Sequence, residues 1–256
     1  MLSQDSLEQA TRQAGIEVPP RFLERTDSTN TVAASLAEAG APQWTVVAAG
    51  HQTAGRGRLG RTWASAPGKS LLFSVVLRPM LPVDRAALVS LLAATDMAGA
   101  ARAGMAAKWP NDLVIADRKV GGILPEAKVS GGRLVHLVLG VGVNVSMAQD
   151  EFPPEVRAAA TSLAREGGEG DAAALLGRFL VAFTASYRPA DPGFADRVLG
   201  SYRAVCSTLG RRVRATTTEG LTVEGTAVDV DERGGLLVRV DGRVVAVAFG
   251  EVAHLG

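Results

Sequence analysis

The chain has 256 residues, of which 47% are hydrophobic and 21% are charged, and its formal net charge is +1. These values are typical of a globular protein with a sizeable core, and they give no overall attraction to nucleic acid or to a membrane. The single cysteine, Cys206, excludes an internal disulfide, and no apolar run reaches membrane-spanning length, so we expect a cytoplasmic protein.

The N-terminal half of the chain predicts a series of short helices and strands. A short helix ends at Gly15, and the acidic residues in this segment do not fit a signal peptide. The segment is also too short for a separate DNA-binding domain. Strands are expected at 22–25, 44–49 and 71–77, and helices at 31–39 and 83–102.

A hairpin with a tight turn at Asp117-Arg118 follows, and after it a long apolar strand of the kind found at the centre of a sheet. Two further helices would cover one face of that sheet. The expected elements are the hairpin arms 113–115 and 119–124, the long strand 134–145, and the helices 172–187 and 194–205.

Closely spaced short strands begin after residue 208, and the pair Asp241-Gly242 is a strong signal for a tight hairpin. Such strands favour a small antiparallel barrel, so we expect two domains, 1–208 and 209–256. The predicted strands of the second domain are 211–216, 221–228, 236–240 and 244–249.

Glycines and arginines alternate in the segment 50–63, which we call the Gly–Arg loop because no helical or strand period fits it. Glycines let backbone N–H groups approach a ligand closely, and arginines supply permanent charge suited to phosphate or carboxylate. The loop therefore predicts a site for a small, multiply charged anion, although a flexible surface loop stays open as an alternative. Its arginines are Arg56, Arg58 and Arg61.

Two nucleotide-binding motifs have spacings close to this loop, and neither fits. A dinucleotide site needs a helix at the glycines, but residues 65–68 include Pro67 and Gly68 and cannot open one. A phosphate-binding P-loop would need glycine where Trp63 stands, five residues before Gly68.

Two other polar segments are ambiguous from the residues alone. Residues 27–30 can all cap the helix that follows, and four polar residues exceed what one cap needs, so a cap alone and a cap with a ligand site both stay open. Lys119 can be a solvated strand residue. It can also meet an anion, because Gly121 and Gly122 leave room beside the strand.

The chain offers little for metal or covalent catalysis. His51, His136 and His254 are too scattered for a metal site, and no nucleophile motif is present. Asp112 could accept a hydrogen bond from an amine or a hydroxyl, or hold a metal. The chemistry indicated is neutralisation of charge.

Taken in order, several motifs resemble those of the biotin protein ligases, also called biotin–[acetyl-CoA-carboxylase] ligases. The resemblance covers nearly the whole chain from about Phe22, and the Gly-Arg-Gly-Arg sequence combined with Lys-Trp-Pro-Asn-Asp is highly specific. The motifs are Ser28-Thr29-Asn30, residues 52–63, Lys108-Trp109-Pro110-Asn111-Asp112-Leu113, residues 119–124 and Gly142-Val143-Asn144-Val145.

The resemblance implies an α+β fold, with a mixed β-sheet backed by helices, like the catalytic domain of class II synthetases, and a small C-terminal SH3-like β-barrel. It implies that biotin and ATP, with Mg²⁺, give biotinyl-5′-adenylate and pyrophosphate. Biotin then passes to one lysine of a biotin carboxyl carrier domain, such as that of acetyl-CoA carboxylase. A monomer or weak homodimer is expected, without operator DNA, other nucleic acid or membrane as partner.

The resemblance also assigns roles to individual residues. Lys119, Arg58 and Asp112 would be catalytic, and no residue would be a dedicated metal ligand. Trp63 and Trp109 would wall the pocket. Biotin would contact Ser28, Thr29, Asn30, Gln52, Arg56, Gly57, Arg58, Lys119 and Gly122. ATP and the adenylate would contact Arg56, Arg58, Arg61, Trp63, Lys108, Asn111, Lys119 and Asn144.

Two rival functions and one departure accompany this assignment. A lipoate or octanoate ligase shares the fold, and a nucleic-acid-binding module would use the basic loop and the barrel. The low net charge and the 5% aromatic content argue against the second rival. Pro125 stands where relatives have an aliphatic residue, which puts pairing of that strand with a carrier or second subunit in doubt.

Overall fold

The computed structural model describes residues 2–218, 220–248 and 250–255. Its larger sheet has seven strands in the order β1-β2-β3-β7-β6-β5-β4, and only the β1–β2 pair is parallel. The strands are β1 (Arg21–Leu23), β2 (Val46–Ala49), β3 (Ser70–Leu77), β4 (Ala106–Lys108), β5 (Asp112–Ile115), β6 (Arg118–Ser130) and β7 (Arg133–Asn144). The predicted mixed sheet is therefore confirmed.

Helices cover the two faces of this sheet unequally. Residues of β3 alternate between the faces: Phe73 and Val75 enter the main core, whereas Val76 packs in a smaller cluster with Ala33 and Ala37. The larger core lies under α1 (Gln4–Gln13), α3 (Ala87–Ala101), α4 (Ala172–Ser186) and α5 (Phe194–Val205). Among the helices that the structure describes, α2 (Thr29–Glu38) alone packs on the other face, which leaves part of that face open for a site.

The hairpin of β5 and β6 differs from its predicted form. Its turn lies at Ala116 and Asp117, whose φ angles of 48° and 62° are left-handed, so it begins one residue before the expected turn. β6 also continues well past residue 124. Beyond Leu124 it pairs only with β7. The N–H of Ile123 points away from β7 toward Asn111, and in a strand the residue two positions later has its N–H on the same side. The N–H that Pro125 lacks would therefore face the unpaired edge of β6.

The C-terminal strands form a five-stranded antiparallel sheet in the order β11-β10-β9-β8-β12, which agrees with the SH3-like expectation. Asp241 and Gly242 form the predicted tight turn, with φ angles of 47° and 80°. Glu219 and Phe249, each part of a predicted turn or strand, lie outside the described residues. The strands are β8 (Arg212–Thr217), β9 (Thr222–Val230), β10 (Leu236–Val240), β11 (Arg243–Val247) and β12 (Gly250–His254).

Two strands, β4 and β12, were not predicted. Both are short. β4 pairs with the neighbouring strand β5, but its three residues are too few to show a period, whereas β12 pairs with β8, which lies far back in the chain. The expected helix 83–102 is divided into a 3₁₀ turn, Val83–Arg85, and α3. No helix within the described ranges has the length and apolar character that crossing a bilayer demands.

Candidate active site

A cavity of about 700 Å³ opens on the less covered face of the large sheet. It is bounded by the start of α2, the Gly–Arg loop, the β5–β6 hairpin, β7 and residues of β12. The residues assigned to ligand from the sequence all line it: Ser28, Thr29, Asn30, Gln52, Arg56, Gly57, Arg58, Arg61, Trp63, Lys108, Asn111, Asp112, Lys119, Gly122 and Asn144.

One end of this cavity is uncharged, and we call it the neutral end: Ser28, Thr29, Asn30 and Gln52, with Ser74 beneath them. Ser28 is the N-cap of α2, yet its side chain makes no capping hydrogen bond. The Thr29 N–H donates to Oε1 of Gln52 over 2.7 Å, and Asn30 is 4% exposed. The N–H of the first residue of α2 is thus accepted by Gln52 and not by Ser28, Thr29 or Asn30, so capping does not explain these three side chains, which favours the ligand-site alternative.

Ser74 was missed by the sequence analysis. It lies in the middle of an apolar strand, is fully buried, and places its Oγ 2.8 Å from Oγ1 of Thr29 and 2.6 Å from Oδ1 of Asn30. The Asn30 amide nitrogen in turn donates to Oε2 of Glu126 over 2.7 Å. A serine in the middle of an otherwise apolar run is the signal that could have marked it, because a buried hydroxyl needs partners.

The floor of the cavity is kept low by glycines. A Cβ added at Gly142 would lie 2.8 Å from Cε2 of Trp63, and one added at Gly140 would lie 2.1 Å from Oδ1 of Asn30. Side chains larger than hydrogen are therefore excluded where Trp63 and Asn30 approach β7. The indole nitrogen of Trp63 is buried and has no hydrogen-bond partner among the described residues.

The other end is cationic, and we call it the charged end: Arg56, Arg58, Arg61 and Lys119. Each cation meets a protein acceptor. Nζ of Lys119 lies 2.6 Å from Oδ1 of Asp112 and 5.9 Å from the ring centre of Trp63. The ion pairs of the arginines are Arg56 with Glu126, and Arg61 with Glu251 at 2.6 Å.

Arg58 is the most enclosed of the arginines in the Gly–Arg loop. Its Nη1 donates to Oδ1 of Asn111 and to the backbone oxygen of Gly250, each over 3.2 Å. Desolvation lowers the pKa of the guanidinium, and the nearby carboxylate of Asp112 opposes that shift. An arginine remains charged at neutral pH all the same, so Arg58 joins the loop to both the β5 segment and the C-terminal sheet as a cation.

A backbone segment beside β6 closes the far wall. The Lys119 N–H donates to the oxygen of Ala159 over 2.7 Å, and the Thr161 N–H donates to the oxygen of Lys119 over 2.8 Å. Nδ2 of Asn144 donates to the oxygen of Thr161 over 3.1 Å, whereas its Oδ1 is buried without a partner among the described residues. An unsatisfied buried amide oxygen beside a cavity is ready to accept from a ligand N–H.

Trp109 has a second role besides its expected place at the pocket wall. It touches the cavity but is only 2% exposed, and its indole N–H donates to the oxygen of Gly234 in the C-terminal sheet over 2.9 Å. Its backbone N–H donates to Oγ1 of Thr208. Trp109 therefore mainly joins the two sheets. Glu126 and Glu251, which pair with loop arginines, were also missed, because a single carboxylate carries no local pattern.

Two family models match the chain. The model described as "Biotin/lipoate A/B protein ligase family" matches residues 22–144, and the one described as "Biotin protein ligase C terminal domain" matches residues 208–255. The first covers the neutral end, the Gly–Arg loop and Lys119, and the second covers the C-terminal sheet.

Curated relatives and solved structures agree with these models. The biotin--[acetyl-CoA-carboxylase] ligase of Mycobacterium tuberculosis is 37% identical over 90% of this chain and 87% of its own length. The bifunctional ligase/repressor BirA of Bacillus spizizenii is 37% identical over 82% of this chain, which spans 66% of that longer relative. A biotin protein ligase from Aquifex aeolicus, solved with biotin and ATP, is 27% identical, with a TM-score of 0.75 over 91% of this chain and 97% of that one.

Proposed function

The chain belongs to the biotin/lipoate A/B protein ligase family and is a biotin protein ligase, and on this premise we propose how its side chains carry out the reaction. Lipoate as the substrate is not favoured, because the C-terminal model and the relatives are those of biotin ligases. The substrates are biotin and ATP. The observation that carries the proposal for the site is that the residues assigned from the sequence line one cavity.

In the first step, a carboxylate oxygen of biotin attacks the α-phosphorus of ATP, and the bond from that phosphorus to pyrophosphate breaks. The carboxylate is ionised at neutral pH, so no protein base is required. The obstacle is the repulsion between two anions. Fixed cations that meet the charge developing between them lower this barrier.

We assign that task to the charged end. Lys119 contacts the biotin carboxylate and the forming phosphate ester, while Arg56 and Arg58 hold phosphate oxygens. In this structure Lys119 and Arg56 are paired with Asp112 and Glu126. Binding therefore exchanges a protein carboxylate for a ligand anion. The cations stay charged and close to their working positions throughout, which limits the reorganisation needed at the moment of reaction.

The neutral end receives the biotin ring system. A cyclic urea presents one carbonyl acceptor between two N–H donors, and the side chains here offer both kinds of partner. Trp63 lies over Gly142 between the two ends of the cavity. Its apolar ring would cover the aliphatic part of biotin. Asn144, with its unpaired oxygen, would accept from the adenine amino group.

Mg²⁺ fits this donor set as an ion that arrives with the nucleotide. Within the described residues there is no group of three or more His, Cys, Asp or Glu side chains that could form a metal site. Magnesium usually keeps several waters and binds through one or two carboxylates plus phosphate oxygens, and Asp112 is such a carboxylate in the cavity. When bound, the ion shares in neutralising the phosphates.

In the second step, the amine of a carrier lysine attacks the acyl carbon, and AMP leaves. We propose that Asp112 orients this lysine once Lys119 has turned toward the ligand, and that the Gly–Arg loop keeps water from the mixed anhydride. The partner is a biotin carboxyl carrier domain. We further propose cytoplasmic location, a monomer or weak homodimer, and a domain boundary at residue 208.

The test is to mix the protein with biotin, MgATP and an isolated carrier domain and to weigh the carrier by mass spectrometry. We expect one biotinyl group on one lysine, and none when ATP is omitted or that lysine is changed to arginine. Lipoate supplied in place of biotin is the matched competitor. A lipoylated carrier, or an unmodified carrier with biotin, would contradict the proposal.

A further inference from the structure

Ser74 stands at the centre of a hydrogen-bonded chain that runs beneath the neutral end. It is fully buried and does not line the cavity, so it cannot touch a ligand in this arrangement. Its hydroxyl contacts the two consecutive residues at the start of α2, Thr29 and Asn30. These residues, together with Gln52, do line the cavity.

The position of each proton in this chain follows from the acceptors. Nδ2 of Asn30 donates to Oε2 of Glu126 over 2.7 Å and to the oxygen of Leu124 over 3.3 Å, which fixes Oδ1 as the atom facing Ser74. An amide oxygen only accepts, so the single proton of Ser74 goes to Asn30. Oγ of Ser74 is thereby left as an acceptor toward Thr29.

The Gln52 amide is oriented by the other end of the same chain. Its Oε1 accepts the Thr29 N–H over 2.7 Å and lies 3.0 Å from Oγ1 of Thr29. Its Nε2 therefore turns away from Thr29, and no acceptor within the described ranges takes either of its hydrogens. The hydroxyl proton of Thr29 is shared between two acceptors, Oε1 of Gln52 and Oγ of Ser74. The lone pairs of Thr29 Oγ1 therefore remain available to a ligand donor.

We propose that Ser74 is a positioning residue that sets the hydrogen-bonding polarity of the neutral end and so its preference for a cyclic urea. This inference rests on the function proposed above. The chain presents Gln52 Nε2 as a donor for the urea carbonyl and Thr29 Oγ1 as an acceptor for a urea N–H. Without the Ser74 hydroxyl, Asn30 Oδ1 is left buried and unpaired, and Thr29 can rotate toward Gln52 alone.

A second feature supports the same role for this chain. A Cβ at Gly140 would lie 2.1 Å from Oδ1 of Asn30, so the missing side chain on β7 leaves room for this amide beside Ser74. Ser74 and Gly140 are directly paired across β3 and β7. The Asn30 amide is thus confined between two strands and Glu126, as is expected of a group whose orientation matters.

The experiment compares steady-state kinetics of Ser74→Ala with the wild-type protein, using biotin and 2-iminobiotin, in which a guanidine replaces the urea. We expect KM for biotin to rise about three- to tenfold, with kcat and KM for ATP within twofold, because one net hydrogen bond is lost. The preference for biotin over 2-iminobiotin should fall by a similar factor. Ser74→Thr, which keeps the hydroxyl, should restore both.

The matched control is Ser90→Ala, another buried serine, whose Oγ donates only to the backbone of its own helix. It should leave all constants unchanged.

An unchanged KM for biotin in Ser74→Ala, or equal changes in KM for biotin and ATP, would overturn the inference. If Ser74→Ala does not fold, Ser74→Cys is measured instead, and an unchanged preference for biotin would likewise overturn it. Failure of the wild-type protein itself to form biotinyl-adenylate would refute the proposed function, and is distinguishable because it needs no variant.

Discussion

The two ends of the cavity hold their polar groups by different means. At the neutral end, uncharged side chains are almost completely buried and bonded to one another, with Thr29 and Asn30 each 4% exposed. At the charged end, cations are partly exposed, and Arg56, Arg61 and Lys119 are paired with carboxylates; the side chain of Lys119 is 41% exposed beside Asp112. The first arrangement is held by contacts within the protein. On the function proposed above, the second exchanges its carboxylate partners for the anions of the ligand.

The difference shows where each kind of recognition is placed. A neutral network whose buried members are bonded to one another has few alternative arrangements, so it selects for shape and hydrogen-bond pattern. A carboxylate partner keeps a cation in position but binds it weakly, because an exposed ion pair contributes only ~0–1 kcal/mol to stability. Substitutions at the charged end should therefore affect the chemical step, and those at the neutral end should affect recognition of biotin.

Removing the ammonium of the charged end should have the largest effect. In Lys119→Ala the carboxylate and the α-phosphate meet without their nearest cation, so we expect adenylate formation to fall by about a thousandfold, or ~4 kcal/mol, with the fold retained. Pyrophosphate exchange measures it. Lys128→Ala, on the exposed part of the same strand, is the control and should be unaffected. A normal exchange rate in Lys119→Ala would remove its assigned role.

Opening the link between the Gly–Arg loop and the rest of the protein should have the next largest effect. Arg58→Ala removes hydrogen bonds to Asn111 and Gly250, and each charged hydrogen bond is worth ~1.5–3 kcal/mol. We expect biotinyl-adenylate to escape about ten- to a hundredfold faster and to label lysines of a bystander protein such as albumin.

The control for that leakage is Arg85→Ala, which also removes a contact between the large domain and the C-terminal sheet, through Glu232, but lies outside the cavity. It should not increase labelling of the bystander. Equal leakage from both variants would mean that general loosening, and not the loop, releases the adenylate.

From the residues alone, the sequence indicated an anion site at the arginines of the Gly–Arg loop and left the polar residues before α2 ambiguous, for a physical reason. Charged groups of the Gly–Arg loop lie within a few consecutive residues, and glycine and arginine carry strong local preferences. The neutral end depends on β3 meeting α2 and β6, a contact between segments distant in the chain. Ser74 is one hydroxyl in an apolar strand, and Glu126 is one carboxylate, so neither is recognisable until the strands are paired.

Prediction of the helices, strands and turns from the sequence was limited in the same way. Helices with clear periods, such as 194–205, were predicted to the residue, and the Asp241-Gly242 turn was predicted from its chemistry. The one-residue error at Ala116 arose because alanine seldom adopts a left-handed φ, here 48°. β12 is set by its partner β8 in another part of the chain, whereas β4 was missed because a strand of three residues carries too little pattern.

Adding a methyl group to the cavity floor, between the neutral end and the charged end, should have a smaller effect. In Gly142→Ala the new Cβ would lie 2.8 Å from Trp63, so the indole must move. Overpacking of this kind costs ~1–3 kcal/mol, and we expect about a tenfold rise in the dissociation constant for biotin by calorimetry. Gly99→Ala, within α3 and with nothing near the added Cβ, is the control. Unchanged binding in Gly142→Ala would show that Trp63 does not cover biotin.

The smallest effect on activity is expected far from both ends. Burial between helices raises the pKa of Asp96 to about 6, above its unfolded value of ~3.9. As pH rises, the unfolded chain therefore loses this proton before the folded protein does. The stability contributed by the protonated form is fully present below pH ~4 and is lost as pH rises to about 6.

The substitution Asp96→Asn should remove this pH-dependent loss of folding stability. Denaturant unfolding should give equal free energies for the variant and the wild-type protein near pH 4, and a variant more stable by ~1–3 kcal/mol at pH 7. Biotin transfer should be unchanged, because Asp96 does not line the cavity. A constant difference across this pH range would rule out Asp96 as the titrating group.

The most direct test is a crystal structure of the protein with biotinyl-5′-adenylate bound. We expect Lys119 to have left Asp112, now 2.6 Å away, for the acyl phosphate, and Arg56 to have left Glu126, while Ser74, Thr29, Asn30 and Gln52 keep their mutual distances within a few tenths of an ångström. Lys119 still paired with Asp112 or turned to solvent, the Gly–Arg loop away from the adenylate, or a rearranged neutral end would contradict the account.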